Sequence, residues 1–268
     1  MDRTVSYDEQ AEFFDKRVGL SDAVAREVVA VVRELVLADT QGAILEIGAG
    51  TGELGHWLAA ERRYVGIDSS SAMLEKYRKR GVRSGDQTLI CADGNESWPV
   101  ESGEIGLVFG SRVFHLLEVD HVAAEFARVS SPGGAALLSG RVRRQKDSVK
   151  TLMRQKMREC LEEEGYVPRE AEKDRKVLLQ RLVAGGATRL DALDAASWEA
   201  HHRPIDSIRS WREKSSIGGV SPSVKVKERV LSKLETWGRE TFGDLDRPVP
   251  TKEFYQLEGV RRTGEVTR

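Results

Sequence analysis

LEIGAGTGELG, residues 45–55, sets four glycines behind a short apolar run, and the reading of this loop decides the fold. Two registers compete. Gly50, Gly52 and Gly55 spell G-x-G-x-x-G, the pattern that seats a pyrophosphate on a helix N-terminus. Gly48, Gly50 and Gly52 spell G-x-G-x-G flush with the end of the strand, with Glu46 just ahead of it. A carboxylate at that point suits a cationic ligand better than a diphosphate. Either register uses glycine for the same reasons: it adopts positive φ and lets a ligand approach the backbone closely.

Outward from the loop, the chain alternates. AILEI (43–47) reads as a buried strand, followed by the glycine loop and a helix near 52–62. YVGID (64–68) is a second strand, with a helix over 70–80 ended by Gly81. Further strands are expected at 88–93, 104–110 and 135–140, with a helix over 119–129 before the last. Upstream, residues 21–37 carry valines and leucines at helical spacing behind a capping Ser21 or Asp22. Short continuous apolar runs separated by helical patterns are the mark of βαβ units and a parallel sheet covered on both faces. Beyond Arg141 the character changes. A charged helix is expected over 147–164, and a second from Pro168 to Ala184, stopped by Gly185 and Gly186. A strand within 188–203, helices after Pro204 and over 221–242, and a last strand over 253–261 complete the chain.

Asp68 ends the second strand, twenty positions past Gly48. An acidic side chain there accepts both hydroxyls of a ribose, which points to a nucleoside in either register. Asp93 ends the third strand, where it could accept a hydrogen bond from an adenine amine. The bulk properties set bounds. With 268 residues the chain can bury a core without disulfides or structural metal, and Cys91 and Cys160 form no C-x-x-C pair. A reduced, cytoplasmic setting is the default expectation. A net charge of −1 argues against a bulk nucleic-acid binder, MDRTVSYDEQ has no signal-peptide core, and no apolar stretch is long enough to span a membrane.

Glu46-x-Gly48-x-Gly50-x-Gly52, Gly66-Ile67-Asp68 with Met73 following, Ala92-Asp93, the run Ile105 to Phe109, and Pro132-Gly133-Gly134 resemble, in order, the motifs of the class I S-adenosylmethionine-dependent methyltransferases. They are closest in style to the bacterial small-molecule branch. The resemblance covers roughly residues 7–141. Trp98-Pro99-Val100 stands where Leu-Pro-Phe is common in the family, a departure that touches local packing. The resemblance implies an α/β, Rossmann-like, doubly wound and mostly parallel seven-stranded sheet with helices on both faces and a helical insertion or lid. It implies one methyltransferase domain over 1–268, divided into an N-terminal helical cap (1–38), a cofactor-binding core (39–141), a helical insertion (142–187) and the end of the sheet (188–268). S-adenosylmethionine, leaving as S-adenosylhomocysteine, would be the cofactor and a small organic molecule the acceptor. No metal and no membrane is implied, and the oligomeric state is left open.

By the same resemblance, Glu46, Gly48, Gly50 and Gly52 cradle the methionine and ribose portion. Asp68 and Ser69 take the ribose, Met73 packs on the adenine, and Asp93 with Gly94 reads its edge. Gly110 and Ser111 lie near the methionine amine, and Tyr7 and Arg17 fall where related enzymes place a lid. His115, just after the fourth strand, sits where the methyl group would be presented. There it is either a general base for the acceptor or a packing residue at a helix start. His201 and His202, adjacent on a strand, point to opposite faces and make no metal site alone. The basic run 141–146 reads as a solvated segment. Three rival readings stay open: a nicotinamide-dependent oxidoreductase using the 50–55 pattern, a non-catalytic module that binds S-adenosylmethionine, and an RNA or protein methyltransferase. The last lacks an N-P-P-Y-type tetrad, since Gly110-Ser111-Arg112-Val113 stands there instead.

Overall fold

Ser21 caps the first helix of the computed structural model, which describes residues 19–81, 86–168 and 171–263. Helix α1 (Asp22–Val32) buries Ala25, Val28, Val29 and Val32 at helical spacing and runs into a π-helical turn over Arg33–Leu37. Strand β1 (Ala43–Ile47) is buried at all five positions, as a central parallel strand must be. Helix α2 (Gly55–Leu58), β2 (Tyr64–Asp68), α3 (Ser71–Lys79), β3 (Gln87–Cys91) and β4 (Ile105–Ser111) follow. A 3-10 turn (Phe114–Leu116), α4 (Val119–Val129) and β5 (Ala135–Arg144) come next. The remainder is α5 (Val149–Glu163), α6 (Ala171–Ala184), β6 (Thr188–His202), α7 (Pro204–Glu213), α8 (Val224–Phe242) and β7 (Val249–Arg262).

The seven strands form one sheet in the order β3-β2-β1-β4-β5-β7-β6. The pairs β1–β2, β2–β3, β1–β4 and β4–β5 are parallel. The sheet as a whole is mostly parallel with mixed orientation, so the doubly wound, seven-stranded fold expected from the sequence is the one observed. The chain order reverses beside β1, with β2 on one side and β4 on the other. The carboxyl ends of β1 and β4 therefore flank the crevice where this architecture binds ligands.

The chain forms two compact units: Met1–Arg141 with Glu172–Ala196 and Tyr255–Arg268, and Val142–Ala171 with Ser197–Phe254. In the first, Leu45, Val108 and Leu137 of the sheet join Val122 and Phe126 of α4 and Leu178, Leu179 and Leu182 of α6 in one core. In the second, α5, α7 and α8 pack around Met153, Met157, Leu161, Ile208, Val230, Leu231 and Leu234. Full burial of such a side chain is worth ~1.5–3 kcal/mol. The insertion read at 142–187 is thus divided between units. Helix α6 carries its leucines into the core of the sheet, while α5 shares a core with α7 and α8.

Several elements differ in extent from their sequence reading, and three of them matter most here. The helix expected over 52–62 shrinks to 55–58, because tight bonds from Trp57 N–H to Leu54 O, Ala60 N–H to Trp57 O and Glu61 N–H to Leu58 O wind its ends into turns before β2. Strand β5 runs on to Arg144 through most of the supposed solvated segment 141–146. Arg141 there reaches Gln256 and Arg144 reaches Glu253, both on β7. Strand β6 occupies nearly the whole of the region read as holding a strand.

Candidate functional site

The glycine loop leaves β1 with three left-handed residues, at φ +69° for Gly48, +53° for Gly50 and +79° for Gly52. At two of them space forbids a side chain as well. A Cβ on Gly48 would lie 2.8 Å from Val113, and one on Gly52 would lie 2.3 Å from the Tyr77 ring. At Gly50 the nearest atom to such a Cβ is the Gly48 carbonyl oxygen at 4.0 Å, so this peptide faces open space.

Asp68 closes the loop from β2. Its Oδ2 accepts the Gly50 N–H at 2.9 Å and its Oδ1 accepts the Ser70 N–H at 2.8 Å. Ser70 caps α3 by accepting the Met73 N–H at 3.2 Å. Met73 is buried beneath it, and Ser69 is exposed beside it. Asp93 is exposed after β3, with its Oδ1 accepting the Asn95 N–H at 2.9 Å. Gly94 follows, its carbonyl accepting Trp98 Nε1 at 3.0 Å, and a Cβ there would meet Ile47 and Leu117 at 3.0 Å.

Glu46 is placed differently from the other acidic residues. It is 2% exposed and accepts the Tyr64 hydroxyl, and both groups crowd the point where a Cβ on Gly55 would be, together with the Tyr77 hydroxyl. Burial is the main reason its carboxyl is pushed up to about 8. The Tyr64 hydrogen bond opposes the rise, and the charges of Glu53 and Asp68 add to it. Glu46 therefore sits in the packing under the loop.

The end of β4 contributes Gly110, which has Val113 and Phe114 2.7 Å from a notional Cβ, and Ser111, whose Oγ accepts the Tyr255 hydroxyl at 2.7 Å. Arg112 follows with φ +59°, a left-handed conformation rare for a side-chain-bearing residue. Its N–H donates to Gly140 O at 2.9 Å and its guanidinium to Glu53 of the glycine loop at 2.7 Å. Glu53 also accepts the Leu20 N–H. His115 is half-buried in the 3-10 turn that follows. Tyr7 and Arg17 lie outside the described residues.

The structure thus brings Gly48, Gly50, Gly52, Asp68, Gly94, Gly110 and Ser111 to the carboxyl ends of parallel strands, linked by the contacts above. Sequence reasoning missed the Glu53–Arg112 pair and the Tyr255–Ser111 hydrogen bond. Their partners stand 59 and 144 positions apart, and no local pattern marks either. Among the described residues no group of three or more His, Cys, Asp or Glu could hold a metal ion. No described helix is long and apolar enough to cross a membrane.

This is a doubly wound domain with a glycine loop and the Asp68 carboxylate at its switch point. Residues 44–134 match the family model described as "Methyltransferase domain". That stretch, like the ordered motifs read from the sequence, is similar to the class I S-adenosylmethionine-dependent methyltransferases, whose cofactor is S-adenosylmethionine. Over 132 residues it is 29% identical to the malonyl-(acyl-carrier protein) O-methyltransferase of Alcanivorax borkumensis, a match covering 48% of this chain and 44% of that protein. The chain therefore spans less than half the length of this curated relative. Among solved structures, a candidate type II methyltransferase from Anaeromyxobacter dehalogenans has a TM-score of 0.57 at 17% identity, covering 92% of this chain and 97% of its own. The cyclase SpnF has a TM-score of 0.51 at 19% identity, covering 93% and 85%. At such identities the likeness is one of fold.

Proposed function

We propose that this chain transfers a methyl group from S-adenosylmethionine to a small organic acceptor and releases S-adenosylhomocysteine. The observation that supports this best is the bridge from Asp68 to the Gly50 N–H, beside open space at Gly50. Two backbone N–H groups hold this carboxylate at the end of β2, the position where an acidic side chain accepts ribose hydroxyls in doubly wound folds. The same bridge disfavours the dinucleotide register, since it commits a loop N–H that a pyrophosphate would need.

When bound, S-adenosylmethionine supplies an electrophilic methyl group on a sulfonium. The chain's own work is to hold and align. Gly48, Gly50 and Gly52 allow close approach of the backbone, and Asp68 with Ser69 binds the ribose. Met73 packs on the base, Asp93 and Gly94 read its edge, and Gly110 and Ser111 meet the amino-acid end. Glu46 acts through the loop it supports, held by the Tyr64 hydroxyl. Alignment of the acceptor and exclusion of water supply most of the rate enhancement in such a displacement. His115 takes the proton from an oxygen or nitrogen acceptor. The O-methyl chemistry in the relative's name makes an oxygen acceptor the first to assay.

Calorimetric titration with S-adenosylhomocysteine and, separately, with NADH tests the reading. Saturable binding of the first and none of the second is expected, followed by acceptor-dependent release of S-adenosylhomocysteine. Binding of NADH alone would refute it.

A further inference from the structure

Arg112 occupies a costly backbone position. Among the described residues it is the one non-glycine with a positive φ, at +59°. Glycine adopts that conformation freely, and a residue with a Cβ does not. The bond from its N–H to Gly140 O needs no side chain, so a glycine at 112 would make it equally well. What arginine adds is its guanidinium, whose Nη2 donates to Glu53 at 2.7 Å, with the two side chains 23% and 12% exposed. A part-exposed ion pair of this kind contributes little to stability and offsets little of the backbone cost. Strain of this sort gathers where a side chain is needed for binding.

The pair lies at the crevice where this fold binds ligands. Glu46 of β1 and Phe109 of β4 are register partners, so the two strands end close to level. Glu53 follows Gly52, the third glycine of the loop after β1, and Arg112 follows Ser111, the last residue of β4. The turn that carries Arg112 packs on the loop, since a Cβ on Gly48 would lie 2.8 Å from Val113. The Arg112–Glu53 contact therefore joins the two lips of the switch-point crevice. Glu53 has a second anchor on its other carboxylate oxygen, which accepts the Leu20 N–H at 2.5 Å. That bond does not depend on Arg112.

We infer that Arg112 and Glu53 select the zwitterionic amino-acid end of the cofactor by exchanging partners, Arg112 taking its carboxylate and Glu53 its ammonium. The inference rests on the methyl-transfer reading above and names the side chains that read one end of the ligand. Without ligand the two groups neutralise each other across the crevice. A ligand that carries both charges replaces one ion pair with two, so no charge at the crevice is left unpaired. The planar guanidinium fork matches a carboxylate in geometry as well as charge. A ligand with one charge, or with none, cannot satisfy both residues. Selection of this kind is independent of Asp68, which the reading places at the ribose.

The test titrates the full chain by calorimetry with S-adenosylhomocysteine and with two analogues, one lacking only the carboxylate and one lacking only the ammonium. The readouts are two affinity ratios. The wild type should prefer the complete ligand to each analogue by about tenfold or more, the value of one charge-assisted hydrogen bond. Arg112→Gly keeps the turn, because glycine adopts its φ freely, and removes only the guanidinium. It should abolish the preference for the carboxylate and leave the preference for the ammonium. Glu53→Gln should do the reverse. A pair that merely locks the loop would instead weaken all three ligands alike and leave both ratios unchanged, and that result would overturn the inference. So would a wild type that binds S-adenosylhomocysteine without either preference, while the methyl-transfer reading would survive both results. A wild type that binds none of the three ligands would overturn that reading, and the inference with it.

Discussion

Replacing Glu46 by glutamine should change how stability depends on pH. In the folded protein this carboxyl titrates near 8 against an ordinary 4.5, chiefly because it is buried. The sign follows from linkage. Below about pH 4.5 both folded and unfolded chains hold the proton, and the group is neutral in its effect. As pH rises toward 8 the unfolded chain releases its proton while the folded one keeps it. Stability then falls by about 1.4 kcal/mol per pH unit, an order-of-magnitude total of 3–5 kcal/mol. Glutamine has nearly the same shape, its carbonyl still accepts the Tyr64 hydroxyl, and it carries no titrating proton. Urea unfolding of both proteins at pH 5, 6, 7 and 8, at constant ionic strength, measures the difference. The variant should gain on the wild type steadily across that range and level off above it. A constant offset from packing does not alter the slope, and histidines titrate alike in both proteins. Tyr64→Phe provides the converse: with the opposing hydrogen bond gone, the decline should continue past pH 8. Parallel curves for wild type and Glu46→Gln would show that this carboxyl is ionised when folded, and the reasoning from its burial would be wrong.

Other outcomes can be stated briefly. Asp68→Ala removes the acceptor for the Gly50 and Ser70 N–H groups, so calorimetry should show S-adenosylhomocysteine bound at least tenfold more weakly, and unchanged affinity would remove Asp68 from the site. Gly52→Ala forces a Cβ to within 2.3 Å of the Tyr77 ring at φ +79°, and should cost about 2–5 kcal/mol in urea unfolding. In the second unit, Leu234→Ala empties a fully buried position on α8 and should cost about 2–5 kcal/mol, with a loss under 1 kcal/mol arguing against close packing there.

Much of the first unit was legible because its signals are local. AILEI and YVGID are continuous apolar runs bounded by glycines and turns, and strands form at 43–47 and 64–68 as read. The left-handed turns of the glycine loop were legible too, since the positive φ angles at 48, 50 and 52 each fall on a glycine. What was not legible depends on partners distant in sequence. Glu46 looks like a ligand-facing carboxylate until the β1–β2 register brings Tyr64 up from the neighbouring strand. Arg141 and Arg144 look like a solvated basic run until Gln256 and Glu253 arrive from β7, more than a hundred positions on. The positive φ of Arg112 has no signal at all, because arginine does not favour it and its partner Glu53 lies on another loop.

The path of the backbone through the two units constrains how the molecule can be taken apart. The chain leaves the helical unit after Ala171, spends Glu172–Ala196 on the sheet unit, and comes back at Ser197. No contiguous fragment contains either unit alone. A truncation that spares α5, α7 and α8 must retain that excursion or replace it with a graft, and a gene fragment ending at Arg141 would lack α6, whose leucines seal the core of the sheet.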